Sequence, residues 1–230
     1  TSLKTIRPGA PGFLDLSFTL SNYARAYGIR EFWEASLNTF YFASATTLCS
    51  FVWGTFLAWT VERTNTPLAR LIGTITVGRI IIPGVMITVS WILMASPSIG
   101  VLNHLIESLV GIPRFFNIYS FWGIVWAHLG GTVAVKVMLL APAFPNLDAA
   151  LEEASHISGA SGRHTFFHIF VPVMMPAILV STILAIIRSL EAFEIELLLG
   201  TPIGLQVFST KIHELVTWEP PQFAPAMALS

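Results

Sequence analysis

Apolar residues fill four long stretches of this chain, and polar residues gather in the joints between them. Ala35 to Val61 carries no charge over about 27 positions, enough for a helix to cross the ~30 Å hydrocarbon core of a bilayer. Trp33 and Trp59 stand near its ends, where interfacial aromatic residues collect. Leu71 to about Ala95 is the second stretch, with Arg79 inside it; Pro83-Gly84 breaks it, and Pro83 is predicted to kink the helix. Phe121 to about Pro142 is the third and holds His128, Gly130-Gly131 and Lys136. Pro172 to about Phe193 is the fourth, with Pro176 in its first turns, and a fifth opens near Phe223. Arg79 and Lys136 each lie close to a polar end, so both are predicted to snorkel their charge to the interface. A role for Arg79 on a transport route is the alternative, since charge inside a membrane usually marks function.

The joints are irregular or amphipathic. Thr1 to Glu34 is mixed and polar and reads as a loop outside the membrane, with a short interfacial helix through Phe18, Leu20, Tyr23 and Ala26 as the alternative. Ser96 to Ser120 reads as a loop holding one amphipathic helix, Val101 to Val110. Thr201 to Gln222 is similar, with an amphipathic piece over Leu205 to Val216. The expected fold is all-α, a polytopic bundle of transmembrane helices. No internal repeat or low-complexity tract is present.

One joint differs from the others. Residues 152–172 read EEASHISGASGRHTFFHIFVP and predict helix, turn, helix. Asp148 is a candidate N-cap, and Glu152 and Glu153 suit the positive end of a helix dipole. Leu147, Leu151, Ala154 and Ile157 or Ser158 recur at helical spacing and are predicted to form one apolar face. Gly159 stands where a helix ends in a left-handed residue, which glycine adopts at little cost. Ser161 is placed to cap a second short helix through Ile169, and Pro172 to open the next one. An ordinary connecting loop is the plain reading of such an elbow.

The same residues resemble a known family. Glu153-Ala154-Ser155, three residues, Gly159, nine residues, then Ile169-Phe170-Val171-Pro172 looks like the E-A-A, G, I-x-L-P signature of ABC-transporter permeases. Ser155 stands for the second alanine and Val171 for leucine. Ser189 to Glu194 with Leu197 to Gly200, and Leu20 to Tyr23, resemble the permeases of iron(III), thiamine and polyamine importers. The resemblance implies one permease domain over 1–230, a segment of a longer chain truncated at both ends, with a cytoplasmic coupling elbow over 148–170. It implies that Glu152, Glu153, Ala154, Ser155, His156, Gly159, Ile169 and Pro172 shape the surface that receives a cytoplasmic ABC ATPase dimer. A periplasmic or extracellular substrate-binding protein and a second permease half or subunit would complete the machine, in a bacterial inner membrane. ATP and Mg would be held by the ATPase, with no cofactor on this chain. The ATPases' closure would rock the spans between inward-open and outward-open states.

Composition and charge agree. Of the 230 residues 54% are hydrophobic and 11% charged, against about 25% charged in soluble domains. A net charge of −1 supplies no field for nucleic acid. Cys49 is the single cysteine, so no internal disulfide forms. The glycine-rich run Gly159 to Thr165 lacks the lysine and spacing of a phosphate loop. His128 has no second histidine at metal-ligand spacing, and no nucleophile–base pattern is present. A free-standing channel or an integral-membrane enzyme is the alternative, and either needs a self-sufficient pore or intramembrane catalytic residues. Basic residues at Arg63, Arg70 and Arg163 place the elbow on the cytoplasmic side, although Lys4, Arg7, Arg25 and Arg30 pull the other way. Glu191 and Glu194, three apart and sharing a face if helical, are candidates for the translocation pathway. They suggest a cationic substrate such as iron(III).

Overall fold

The computed structural model describes residues 21–28, 30–144, 155, 157–217 and 223–229. Among these every regular element is helical. In chain order they are α1 (Ser21–Gly28), α2 (Arg30–Arg63), α3 (Ala69–Gly78), α4 (Gly84–Ala95), α5 (Val101–Val110), α6 (Phe121–Leu140), α7 (Gly162–Thr165), α8 (Val171–Leu190), α9 (Glu194–Leu199), α10 (Phe208–Thr217) and α11 (Phe223–Leu229). Three helical runs are long and apolar enough to cross a membrane: Arg30–Arg63, Phe121–Ala143 and Gly162–Leu190. The pair Ala69–Ile81 and Gly84–Ala95 makes a fourth if its two arms count as one span.

α2 is 34 residues, about 51 Å long, and overshoots the hydrocarbon core. Its polarity is inverted relative to a soluble helix. Phe40, Leu48, Val52, Trp53 and Phe56 face outward, while Thr39, Thr46 and Ser50 are buried. The buried hydroxyls donate to carbonyls one turn back, for example Thr39 to Ala35 at 2.7 Å and Ser50 to Thr47 at 3.0 Å, which satisfies them without water. Apolar surface facing out is stable in lipid and a liability in water.

The second stretch is broken at Pro83, more sharply than a kink. A 3₁₀ turn, Arg79–Ile81, ends α3, and the two arms of the pair meet at 112°. Proline alone removes one hydrogen bond and bends a helix. Here the residue before it also matters. Ile82 is driven to an extended backbone, φ −82° and ψ 125°, as steric conflict with the following proline ring favours. One extended residue re-aims everything after it.

The chain divides into two compact units. The first comprises Thr1–Phe42, Ile92–Ile124 and Glu191–Ser230. Its apolar cluster is Phe32, Leu215, Ala226, Ala228 and Leu229. The expected N-terminal loop is helical over α1, whereas Phe18 and Leu20 lie outside the described residues. Buried Asn103 ties the loop around α5 together. Its Nδ2 donates to the Ser96 and Phe116 carbonyls, both at 2.9 Å, and its Oδ1 accepts from the Phe116 N–H at 2.7 Å. Thr39 accepts from the Phe208 N–H at 2.8 Å, which anchors the start of α10 on α2.

The second unit comprises Ala43–Trp91 and Val125–Leu190. Ala58, Val137, Leu140, Phe144 and Met174 form its core. Thr46 and Ser189 join α2 to α8 through a 3.0 Å hydroxyl pair, the kind of polar contact that links helices in lipid. Lys136 does not snorkel. It is fully buried, its Nζ donates to Thr182 at 3.1 Å, and it lies 5.0 Å from the Phe51 ring centroid. Gly54 makes the room, since a Cβ there would sit 2.9 Å from the lysine Cβ. Arg79 stands at the break and is part-exposed. Its guanidinium donates to the Ile82 carbonyl at 3.2 Å and lies over Gly130, where a Cβ would come within 3.4 Å of Nε.

Candidate functional site

The elbow is built from two caps. Gly159 has φ +77°, and the Ala160 N–H reaches back to the Ser155 carbonyl at 3.1 Å. That six-to-one bond across a left-handed glycine is a Schellman ending. The chain restarts at once. Ser161 is extended, φ −71° and ψ 153°, and its hydroxyl accepts from the His164 N–H at 3.3 Å. Both caps stand where the sequence predicts them.

A third contact was not legible. Ser155 and Thr165 are buried and share a 2.7 Å hydroxyl–hydroxyl bond. It joins the two limbs of the elbow across ten residues. Ser155 is also where the chain departs from the alanine of the signature, so the substitution brings a partner with it. Ile157, by contrast, is 87% exposed. Glu152, Glu153, Ala154 and His156, and with them the Asp148 cap, lie outside the described residues.

Beyond the elbow the helix runs without interruption from Gly162 to Leu190, so Pro172 does not open a separate helix. Residues Phe166–Phe170, including half-buried Ile169, form a π turn. The Val171 N–H bonds the Phe166 carbonyl, one residue further back than in an α-helix. Pro172 follows directly. It has no N–H, and its ring conflicts with the carbonyl four residues back. The wider turn before it takes up that mismatch.

At the other end of α8 the helix stops at Leu190. Glu191 lies in the bend and Glu194 begins α9, so the two do not share the face of one helix. Both are exposed, whereas Glu196 is fully buried. The break comes at Phe193, whose φ of −144° and ψ of −56° are not helical. Among the described residues no group of three or more His, Cys, Asp or Glu is placed to hold a metal ion.

Apolar helices long enough to span a bilayer, with a doubly capped polar elbow before the last long one, fit a multi-pass integral-membrane protein. The chain belongs to the family of binding-protein-dependent transport system inner membrane components, which matches residues 47–230. It is 30% identical over 162 residues to the molybdenum transport system permease protein ModB of Escherichia coli (strain K12), covering 70% of this chain and 69% of ModB. It is 27% identical over 130 residues to the ferric transport system permease protein FbpB of Actinobacillus pleuropneumoniae, covering 56% of this chain and 19% of FbpB. Its fold matches a chain of a bacterial alginate ABC transporter solved with an alginate pentasaccharide-bound periplasmic protein. That match has a TM-score of 0.78 at 20% identity and covers 92% of this chain and 76% of the other. The chain is thus a multi-pass inner-membrane permease of an ABC importer, not an enzyme. Such permeases work with a substrate-binding protein and a separate ATPase, where ATP is hydrolysed.

Proposed function

We propose that the elbow over 148–170 receives the cytoplasmic ATPase and converts its closure into movement of the spans. The observation that carries this is the elbow's construction. Gly159, Ser161 and the Ser155–Thr165 bond hold a rigid turn, and Ile157 projects from it. A rigid turn continuous with the helix Gly162–Leu190 moves that helix when it is pushed. In this reading Glu152, Glu153, Ala154 and His156 also contribute to coupling, and Ile169 and Pro172 set where the elbow joins the span. The ATPase acts as a dimer and holds ATP and Mg, while this chain binds no cofactor. A second permease half or subunit completes the pathway in the lipid bilayer.

Exposed Glu191 and Glu194 favour a cation, and iron(III) agrees with the ferric transport system to which FbpB belongs. The names of ModB and of the alginate transporter point to quite different cargo. Specificity therefore lies with the cognate binding protein in this account. The test is reconstitution of the permease with its ATPase and binding protein in vesicles, followed by a ligand screen. ATPase activity stimulated by loaded binding protein supports the reading, and activity indifferent to the permease contradicts it.

A further inference from the structure

Three sides of α5 differ in chemistry. Asn103 is buried and Leu102 and Ile106 are half-buried, so that side rests on the protein. His104, Glu107 and Ser108 stand three or four positions apart on a second side, and all are exposed. Val101, Leu105 and Leu109, four apart, line a third side and are exposed as well, Leu109 to 74%. Val110, Ile112 and Phe115 add exposed apolar surface at the helix end. An aliphatic stripe running the length of a helix is unfavourable in water.

The helix is held where the membrane segments end. The Ile118 N–H bonds the Ala95 carbonyl at 3.1 Å, so the loop closes between the end of apolar α4 and the foot of the span Phe121–Ala143. Asn103, in the first turn of α5, is bonded to both sides of that closure through Ser96 and Phe116. Gly100 sits so close to the end of α4 that a Cβ there would collide with the Ser96 carbonyl. Trp122, exposed in the first turn of α6, is the kind of aromatic residue that marks the interface. At 10 residues, about 15 Å, α5 cannot itself cross a ~30 Å hydrocarbon core.

We propose that α5 is an interfacial helix seated in the phospholipid leaflet on the side opposite the elbow. Val101, Leu105 and Leu109 lie among the upper acyl chains, while His104, Glu107 and Ser108 meet headgroups and water. The side follows because the span Phe121–Ala143 separates α5 from the elbow. Segregated apolar and polar faces suit a helix lying in the plane of the membrane. α5 carries no Lys or Arg, so apolar burial and not attraction to anionic headgroups holds it there. A protein partner would find no hydrogen-bonding side chain on the stripe, whereas acyl chains need none. The lipid that surrounds α4 and α6 reaches this face without any further component.

The test is site-directed fluorescence on the transporter reconstituted with its ATPase. In a Cys49→Ala background, Val101→Cys, Leu105→Cys and Leu109→Cys on the stripe, and Glu107→Cys and Ser108→Cys on the polar side, are labelled with bimane. Variants that elute as the Cys49→Ala parent does are scored, and with three stripe positions the loss of one to misfolding leaves the comparison intact. The vesicles are phosphatidylcholine, with or without bromine on the upper part of an acyl chain. Bromolipid should cause a loss of emission at the stripe positions and little at the polar ones, and aqueous iodide should do the reverse. Equal iodide quenching at all positions would overturn the proposal. Stripe positions shielded from both quenchers would overturn it too, since a protein would then cover the face. Neither readout involves ATP hydrolysis or transport, so failure here leaves the coupling account untouched.

Discussion

Gly159 offers a clean perturbation, because its two possible costs separate. The residue sits at φ +77°, and among the described residues no heavy atom lies within 4 Å of where a Cβ would stand. A Cβ therefore meets none of them, and the penalty worked here is conformational. For an L-residue the left-handed region costs about 1–2 kcal/mol. At ~1.4 kcal/mol per tenfold, that lowers the population of the intact Schellman turn by about 5–30-fold relative to its competitors. The cost depends on chemistry. Asparagine visits this region most readily, alanine less and a β-branched residue least. Coupling should fall in the order Gly, Asn, Ala, Val at position 159. The assay is ATPase activity of the reconstituted transporter stimulated by loaded binding protein, normalised to the amount of inserted permease. Normal stimulation in Gly159→Val would refute the claim that this turn transmits the movement. Loss in all three variants alike would point to a steric contact with the ATPase instead.

Other predictions follow from the packing. Gly54→Ala drives a methyl against the Lys136 stem and should lower the detergent melting point by the equivalent of ~1–3 kcal/mol; Lys136→Ala in the same chain should recover part of that, and no recovery would mean the clash lies elsewhere. Asn103→Ala strands the part-buried Phe116 N–H and should destabilise by about 1 kcal/mol in a thermal shift assay, whereas an unchanged midpoint would make the three bonds dispensable. Glu194→Gln keeps shape and removes charge, so vesicle uptake of a cationic substrate should drop with binding-protein affinity unchanged; unaltered uptake would make Glu194 a surface residue.

Local rules carried the elbow's caps and the long spans. Gly159 and Ser161 act through bonds within a few residues, and such bonds are written in the order of the chain. Long apolar runs likewise declare themselves by composition alone. What escaped was tertiary. Whether Lys136 snorkels depends on Gly54 and Thr182, which are 82 and 46 positions away. A local view sees only a lysine near a span end. The Ser155–Thr165 bond was hidden because neither hydroxyl signals its partner. The break at Ile82 had a local cause, the residue before Pro83, but a kink and a 112° turn look alike when only the proline is weighed. Glu191 and Glu194 were joined on one face because an apolar run was extended past Leu190, where the backbone leaves the helix.

The claim that the elbow receives the ATPase is tested most directly at Ile157, the exposed residue at its turn. In a Cys49→Ala background, Ile157→Cys leaves one thiol in the chain. Membranes holding the assembled transporter are treated with a short bifunctional thiol reagent, and the product is identified by mass spectrometry. The account predicts a cross-link between position 157 and the phosphate-loop ATPase, with a yield that changes when ATP is added. It also predicts that an impermeant thiol reagent outside intact cells does not reach this cysteine. Labelling from outside, or cross-links that never include the ATPase although it co-purifies, would contradict the account.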